Sequence, residues 1–284
     1  MNELAVGALL GSPVVDRRLA TGGYTPAERW VVRLANGRSA FVKVAVNDLT
    51  ALWLRKEYRM YADLRAPFMA ELLGWADEDG MPMLLLEDLS GCDWPPPWSK
   101  ERIGSVLAML EQVSATRPPA WLATSSEAAW IADGWARVAD DPAPLLSTGL
   151  VSAAWLEGAL PALLEVAGPA VIAGDQLCHF DVRSDNLCFR ADGSAVLVDW
   201  NNALIGNPRI DVAFWLPSLA LEGGPEPEAV LPDAGPEASV VAGYFASHCG
   251  LPEIPDAPAV RDLQKRQLTT ALPWACRALG LQLP

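Results

Sequence analysis

The chain has 284 residues, 51% of them hydrophobic and 20% charged, which excludes disorder as its main character and is length enough for a core shared between two lobes. Its formal net charge is −14, from 35 acidic against 21 basic residues. Such a surface repels the phosphates of nucleic acid and an anionic membrane, and it is compatible with a cationic ligand or with nothing beyond solubility.

Five cysteines (Cys92, Cys178, Cys188, Cys249, Cys276) form no C-x-x-C pair, so neither a zinc site nor a disulfide framework is read. A reducing, cytoplasmic setting is expected from that usage. The segment Met1-Asn2-Glu3-Leu4-Ala5 has no basic stretch ahead of an apolar one, so no signal peptide is read. No uncharged apolar run reaches the roughly 18 residues of a membrane span.

The first ninety residues read as a strand-rich block around one helix. Trp30–Leu34 and Ser39–Val44 are β-branched and aromatic segments on either side of Asn36-Gly37, a strong hairpin signal. Leu49, Leu52, Trp53, Lys56, Met60 and Leu64 repeat with a helical period, which predicts an amphipathic helix over 48–65 starting at Asn47-Asp48. Apolar runs follow at Leu72–Trp75 and Met81–Leu86, with a turn at Asp77–Gly80 between them. Trp94-Pro95-Pro96-Pro97-Trp98 is a rigid connector that cannot be helix. Beyond it, Ser99 caps a helix with Ile103, Val106, Leu107, Leu110 and Val113 on one face. Further helices are predicted near 126–139 and 152–166, then a mainly helical remainder broken by a short strand at Ala195–Val198. Residues 222–237 read as an acidic Pro/Gly-rich loop. The domains expected are 1–90 and 91–284.

The stretch richest in chemistry is His179-Phe180-Asp181-Val182-Arg183-Ser184-Asp185-Asn186, followed by Val196-Leu197-Val198-Asp199-Trp200. Phosphoryl transfer needs a carboxylate to orient and deprotonate the attacking hydroxyl, and oxygen ligands for Mg²⁺ on the triphosphate. An H-x-D-x-x-x-x-N loop offers the carboxylate, Asp181, and one metal ligand, Asn186. Asp199, at a strand end, offers a second. His179 reads as a core histidine that orients the loop, and Asp185 as a hydrogen-bond acceptor within it. Lys43 lies inside an apolar strand, where an unpaired ammonium is costly to bury, so it wants an anion, and Glu57 on the following helix is the obvious carboxylate. An edge-strand lysine in solvent is the other reading. Thr21-Gly22-Gly23-Tyr24 precedes the first hairpin, and its glycines can let backbone N–H groups approach phosphate, or form a turn without a ligand.

These residues resemble the aminoglycoside phosphotransferase family, which shares the protein-kinase-like fold. The family's catalytic loop reads H-G-D-x-x-x-x-N, with a metal-binding Asp in a D-W context; Asp181, Asn186 and Asp199-Trp200 match. Phe180 stands in place of the Gly, and Arg183 where many members have His. Gly206-Asn207-Pro208-Arg209-Ile210-Asp211-Val212-Ala213 is similar to the family's G-x-P-x-x-D-x-A segment, whose Asp buttresses the loop. The resemblance implies an α+β, bilobal protein-kinase-like fold, with a small β-rich N-lobe and a larger, mainly helical C-lobe. It implies ATP or GTP and Mg²⁺, with Gly22, Gly23 and Tyr24 covering the phosphates. Lys43 and Glu57 become the phosphate-binding pair, and main-chain groups of Glu87 and Leu89 the contacts to the purine edge. Arg183 is read as a contact for the γ-phosphate or an acidic acceptor group, or as a loop arginine paired with Asp185 or Asp211.

The activity expected is transfer of a γ-phosphoryl group to a hydroxyl of a small molecule, an antibiotic in the leading reading. A metabolic kinase acting on choline, homoserine, an aminosugar or a fructosamine is the alternative, and a nucleotide-binding pseudokinase the second. Partners expected are a small-molecule acceptor, with no nucleic acid or membrane, on a monomer or homodimer. Glu222, Glu226, Glu228 and Asp233 can hold ammonium groups of an acceptor or form a solvated surface; Trp130, Trp135 and Trp155 can stack on a sugar or base or lie in the core.

Overall fold

The structure is a computed structural model of the chain that describes residues 1–20, 26–78, 80–255 and 257–284. Helix α1 (Glu3–Leu10) starts at Asn2, whose side-chain oxygen accepts from the N–H groups of Leu4 and Ala5, and ends at Gly11 in the left-handed region (φ 67°). Strand β1 (Val14–Leu19) follows, then β2 (Glu28–Leu34) and β3 (Ser39–Val44), joined by the expected tight turn with Gly37 at φ 85°. Helix α2 (Asp48–Asp63) opens with a capping box: Asn47 accepts from the Thr50 N–H at 2.9 Å, and the Thr50 hydroxyl accepts from the Asn47 N–H at 3.1 Å. Strands β4 (Leu72–Ala76) and β5 (Met83–Leu86) complete an antiparallel sheet ordered β1-β2-β3-β5-β4.

The later elements are α3 (Lys100–Ala115) capped by Ser99, a 3₁₀ turn (Ser125–Ile131), α4 (Gly134–Asp140), α5 (Ala143–Ser147), α6 (Ala153–Val166) and α7 (Pro169–Ile172). Short strands β6 (Gln176–Cys178), β7 (Leu187–Phe189), β8 (Ala195–Leu197) and β9 (Leu204–Gly206) come next. The chain finishes with α8 (Arg209–Leu221), α9 (Pro227–Val230), α10 (Gly235–His248) and α11 (Ala259–Leu279). Among the described residues no helix is long and apolar enough to cross a membrane.

The chain forms two compact units, Met1–Pro95 with Asp185–Asn202, and Pro96–Ser184 with Ala203–Pro284. In the first unit, alternation along β3 sends Ala40 and Val42 into an apolar core with Val6, Leu10, Val32 and Leu85. Lys43 therefore points to the opposite face of the sheet, where α2 lies. The β7–β8 hairpin is stitched on by Asp93 and Phe189, which exchange both main-chain hydrogen bonds at 3.0 and 2.8 Å, and by Leu197 N–H donating to Phe68 O at 2.9 Å. In the second unit α10 packs against α4, α11, α6 and α8.

Three expectations change. The helix near 126–139 is interrupted, because Ala128 leaves helical geometry (φ −118°, ψ 27°) and the chain restarts at Gly134. Gly134 presses onto α10 so closely that a Cβ there would lie 2.1 Å from the Gly243 carbonyl. Among the described residues, the strand content of the later chain is four short strands instead of one. Residues 222–237 are not wholly a loop, since α9 and the first turn of α10 fall within them.

Candidate active site

Lys43 occupies the third strand of the sheet, hydrogen-bonded between β2 and β5, and is 6% exposed, so it is not an edge lysine in solvent. Its Nζ donates to both oxygens of Glu57 at 2.7 and 2.9 Å and to Asp199 Oδ1 at 2.9 Å. Glu57, 2% exposed, shares the buried stripe of α2 with Leu54, Met60 and Tyr61, which explains why the helical period brings it to the sheet. Burial pushes the Glu57 carboxyl up to about 7 against the pull of the Lys43 ammonium. For Lys43, burial lowers the value, but the facing carboxylates of Asp199 and Glu57 outweigh it and hold the amine above its ordinary range. One ammonium thus serves two carboxylates.

Asp199 adopts the left-handed conformation (φ 70°) that non-glycine residues take rarely and Asp more readily than most. Trp200 fixes the turn, fully buried with its Nε1 donating to Leu197 O at 2.8 Å. With its nitrogen toward Asp199, the Asn201 amide donates to the Asp199 carbonyl at 3.1 Å and to Oδ1 at 3.3 Å. Val198 N–H donates to Asn186 O at 3.0 Å, which places buried Asn186 beside Asp199 in the same unit. A carboxylate that already holds a cation, with an amide residue next to it, fits Mg²⁺, which takes few protein oxygens and fills its shell with water and phosphate oxygens.

Past β5 the chain is pinned on one side. Glu87 N–H donates to Glu71 O at 2.9 Å, and the Glu87 carboxylate is gripped by both terminal nitrogens of Arg190. That pairing holds the carboxyl below its ordinary range. The carbonyl of Leu89 accepts from Cys92 N–H at 3.0 Å and Trp94 Nε1 at 3.1 Å. The remaining main-chain groups, Glu87 C=O and Leu89 N–H, are the two expected at a purine edge. Gly22, Gly23 and Tyr24 lie outside the described residues.

The second unit carries the other half of the motif. Asp211, in the first turn of α8 and 2% exposed, accepts from the main-chain N–H groups of His179 and Phe180 at 2.7 Å each. His179 is fully buried, and its Nδ1 accepts from Asp181 N–H at 3.2 Å, which puts the ring proton on Nε2 in the neutral tautomer. His179 is thus a scaffold residue and Asp211 the buttress. Phe180 stands where the family's glycine would, and its φ of 61° shows why glycine suits the position. A left-handed phenylalanine costs roughly 1–2 kcal/mol, which the two hydrogen bonds to Asp211 and a buried ring offset. The ring lies against Gly206, where an added Cβ would come within 3.0 Å of Phe180 Cζ. Arg183 Nε forms an ion pair with Asp181 Oδ1 at 3.1 Å. The end of the loop is tied by Glu222, whose Oε2 accepts from the Ser184 hydroxyl and from Trp98 Nε1, the latter at 2.8 Å.

Burial pushes Asp211 up to about 7, helped by the charge of Asp181 and opposed by the two N–H donors. A carboxyl raised in the folded state contributes stability that is complete below its unfolded value and disappears as pH climbs through about 7. Asp211→Asn should remove that slope from the melting temperature between pH 4 and 8. At neutral pH it should also destabilise by about 1–3 kcal/mol, because the amide nitrogen faces one of two buried N–H donors. Thermal melts across pH check both; an unchanged slope would sink the assignment.

Three of the four acids expected to hold ammonium groups are engaged within the unit. Glu222 ties the loop, and Glu226 and Glu228 both pair with Arg277. Asp233 offers its main-chain carbonyl to Arg209. Trp135 is core, 1% exposed with its Nε1 donating to Ser239 O, and Trp155 donates to Gln282 O. Trp130 is 45% exposed.

A family model described as phosphotransferase enzyme family, APH, matches residues 16–244. None of the curated proteins compared matches the chain. Among solved structures, a thermostable mutant of aminoglycoside phosphotransferase APH(4)-Ia in its apo form is similar at 16% identity with a TM-score of 0.63, covering 98% of each chain. A ternary complex of a mutant of that enzyme with ADP and hygromycin B gives 15% identity and a TM-score of 0.60, over 98% of this chain and 97% of that one. Choline kinase LicA from Streptococcus pneumoniae gives 14% identity and a TM-score of 0.52, over 99% and 92%. Identities this low speak to fold alone, and the fold is the α+β kinase-like one. With the family model spanning most of its length, the chain belongs to the APH phosphotransferase enzyme family.

Proposed function

We propose that the chain transfers the γ-phosphoryl of ATP or GTP to a hydroxyl of a small molecule in the cytoplasm, with an antibiotic as the first acceptor class. The observation that carries this reading is the buried Lys43 ammonium held by Glu57 and Asp199, because a kinase needs a fixed cation for phosphate beside a carboxylate for the metal. Lys43 clamps the α- and β-phosphates, Glu57 aims it, and Gly22, Gly23 and Tyr24 cover the phosphate chain. Main-chain groups of Glu87 and Leu89 meet the purine. Asn186 and Asp199 would hold Mg²⁺, which when bound would neutralise charge on the triphosphate.

Asp181 accepts the proton of the acceptor hydroxyl as its oxygen forms the new bond to phosphorus; the bond from phosphorus to the bridging β-phosphate oxygen breaks, and the nucleoside diphosphate leaves. Arg183, paired with Asp181, faces charge on the γ-phosphate. Solved structures of the same fold, one a ternary complex with ADP and hygromycin B and another a choline kinase, keep both antibiotic and metabolic acceptors in view. A coupled assay of ADP and GDP release, run with ATP and GTP and Mg²⁺ against hydroxylated antibiotics and metabolites, tests the reading. Turnover with one acceptor is expected; nucleotide binding without turnover on any of them would favour a regulatory role.

A further inference from the structure

We propose that Trp130 and Tyr244 form the seat of the acceptor, and that the acceptor is a hydroxylated molecule bearing a planar, uncharged ring and not a polycationic aminosugar. This rests on Asp181 as the base and narrows the substrate class of that reading.

The Trp130 ring, nearly half exposed on the 3₁₀ turn, stands 6.0 Å from Tyr244 and 6.4 Å from His248, centroid to centroid. Tyr244 in turn packs edge-on against Phe214 at 5.4 Å and Phe245 at 5.3 Å, both buried. Phe214 lies three residues after Asp211 on α8, on the same side of the helix. One helix face therefore holds the backbone of the Asp181 loop and the base of the aromatic cluster. The nearness shows electrostatically as well: burial raises the Tyr244 hydroxyl, the charge of Asp181 adds to the rise, and Arg183, Gln264 and Arg261 oppose it. A half-exposed ring backed by an aromatic cluster that reaches the helix anchoring the Asp181 loop is suited to stacking a planar group.

The arginines around the cluster weigh against a cationic acceptor. Arg183 and Arg261 act on Tyr244, and Arg137 and Arg261 on His248. The Asp181 carboxylate among them is paired with Arg183. A polycation needs several carboxylates to replace its hydration, while Glu222, Glu226 and Glu228, three of the four acids of the acidic stretch, are each hydrogen-bonded inside the unit. Aromatic faces do attract a single ammonium, but the guanidinium groups that act on Tyr244 and His248 oppose it. The net charge of −14 misleads here, because local groups and not the sum set the potential at a site.

The test assays the full chain with ATP and Mg²⁺ for ADP release on four probes: uridine and phenyl β-glucoside as neutral ring-bearing alcohols, choline as a monocation, and hygromycin B as a polycation. Release with a neutral probe is expected to exceed that with either cation at least tenfold. Trp130→Ala should raise the KM for that probe by roughly tenfold, the size of one lost ring stack, with the nucleotide KM unchanged; Trp130→Phe should restore most of it. Faster turnover of choline or hygromycin B, an unchanged acceptor KM in Trp130→Ala, or no turnover of either neutral probe would each overturn the proposal. In the last case, ATP–Mg²⁺ binding followed by thermal shift, with slow ADP release to water, would leave the phosphotransfer reading standing, and loss of both would remove it too.

Discussion

Asp181→Asn should lower kcat by about 10²–10⁴-fold while leaving nucleotide binding and the melting temperature close to wild type. Asparagine keeps the shape of the side chain and can still hold a hydroxyl, but it cannot take the proton. The structural effect should be small, because the ion pair with Arg183 is partly exposed and such pairs are worth at most about 1 kcal/mol. The fixed part of the loop is main chain, the N–H groups of residues 179 and 180 on the carboxylate of Asp211, and the substitution does not touch it. A large fall in kcat at constant stability therefore reports proton transfer. A kcat within twofold of wild type would remove Asp181 from the role of base.

Those parts of the fold whose signal is local were legible in the sequence. Asn36-Gly37 carries its hairpin, Asn47 and Ser99 carry their caps, and the apolar spacing after Asn47 carries α2. Helix α1 left no trace because it is apolar nearly all round, with Leu4 exposed and Val6 buried, and β1 because five of its six residues face solvent and no alternation shows. Strands β6, β7 and β9 are three residues each, too short for a period of two, and exist through partners elsewhere in the chain.

The site divides the same way. The pairing of Lys43 with Glu57 followed from the cost of burying an amine alone. Its second partner, Asp199, lies 156 residues further on, and nothing local announces it. Composition also misread Glu222. In a Pro/Gly-rich acidic stretch it looks like a solvated charge, yet it accepts from Ser184 and Trp98 and so ties down the end of the catalytic loop. Tryptophans at helical spacing look alike, and only packing separates Trp135 in the core from Trp130 at the surface.

Lys43→Met should destabilise the chain by about 3–5 kcal/mol at pH 8, because it leaves two carboxylates, one fully buried, facing each other without their cation. The loss should shrink as pH falls. Burial already raises Glu57 to about 7, and without the ammonium its proton is held more tightly, so at pH 5 the variant can neutralise one of the two charges. A carboxyl raised in this way favours the folded state below its unfolded pKa and ceases to do so as pH climbs past the folded one, which sets the sign. Lys43→Met/Glu57→Met should then recover most of the stability, since it replaces the buried pair with apolar groups of similar length and leaves Asp199 partly exposed. Neither variant should recover nucleotide binding. Melts at pH 5 and 8 for the three proteins, with ADP titrations alongside, separate the two roles of Lys43. If the single variant is as stable as wild type, or the double no more stable than the single, the ammonium is not the group that makes this carboxylate cluster tolerable.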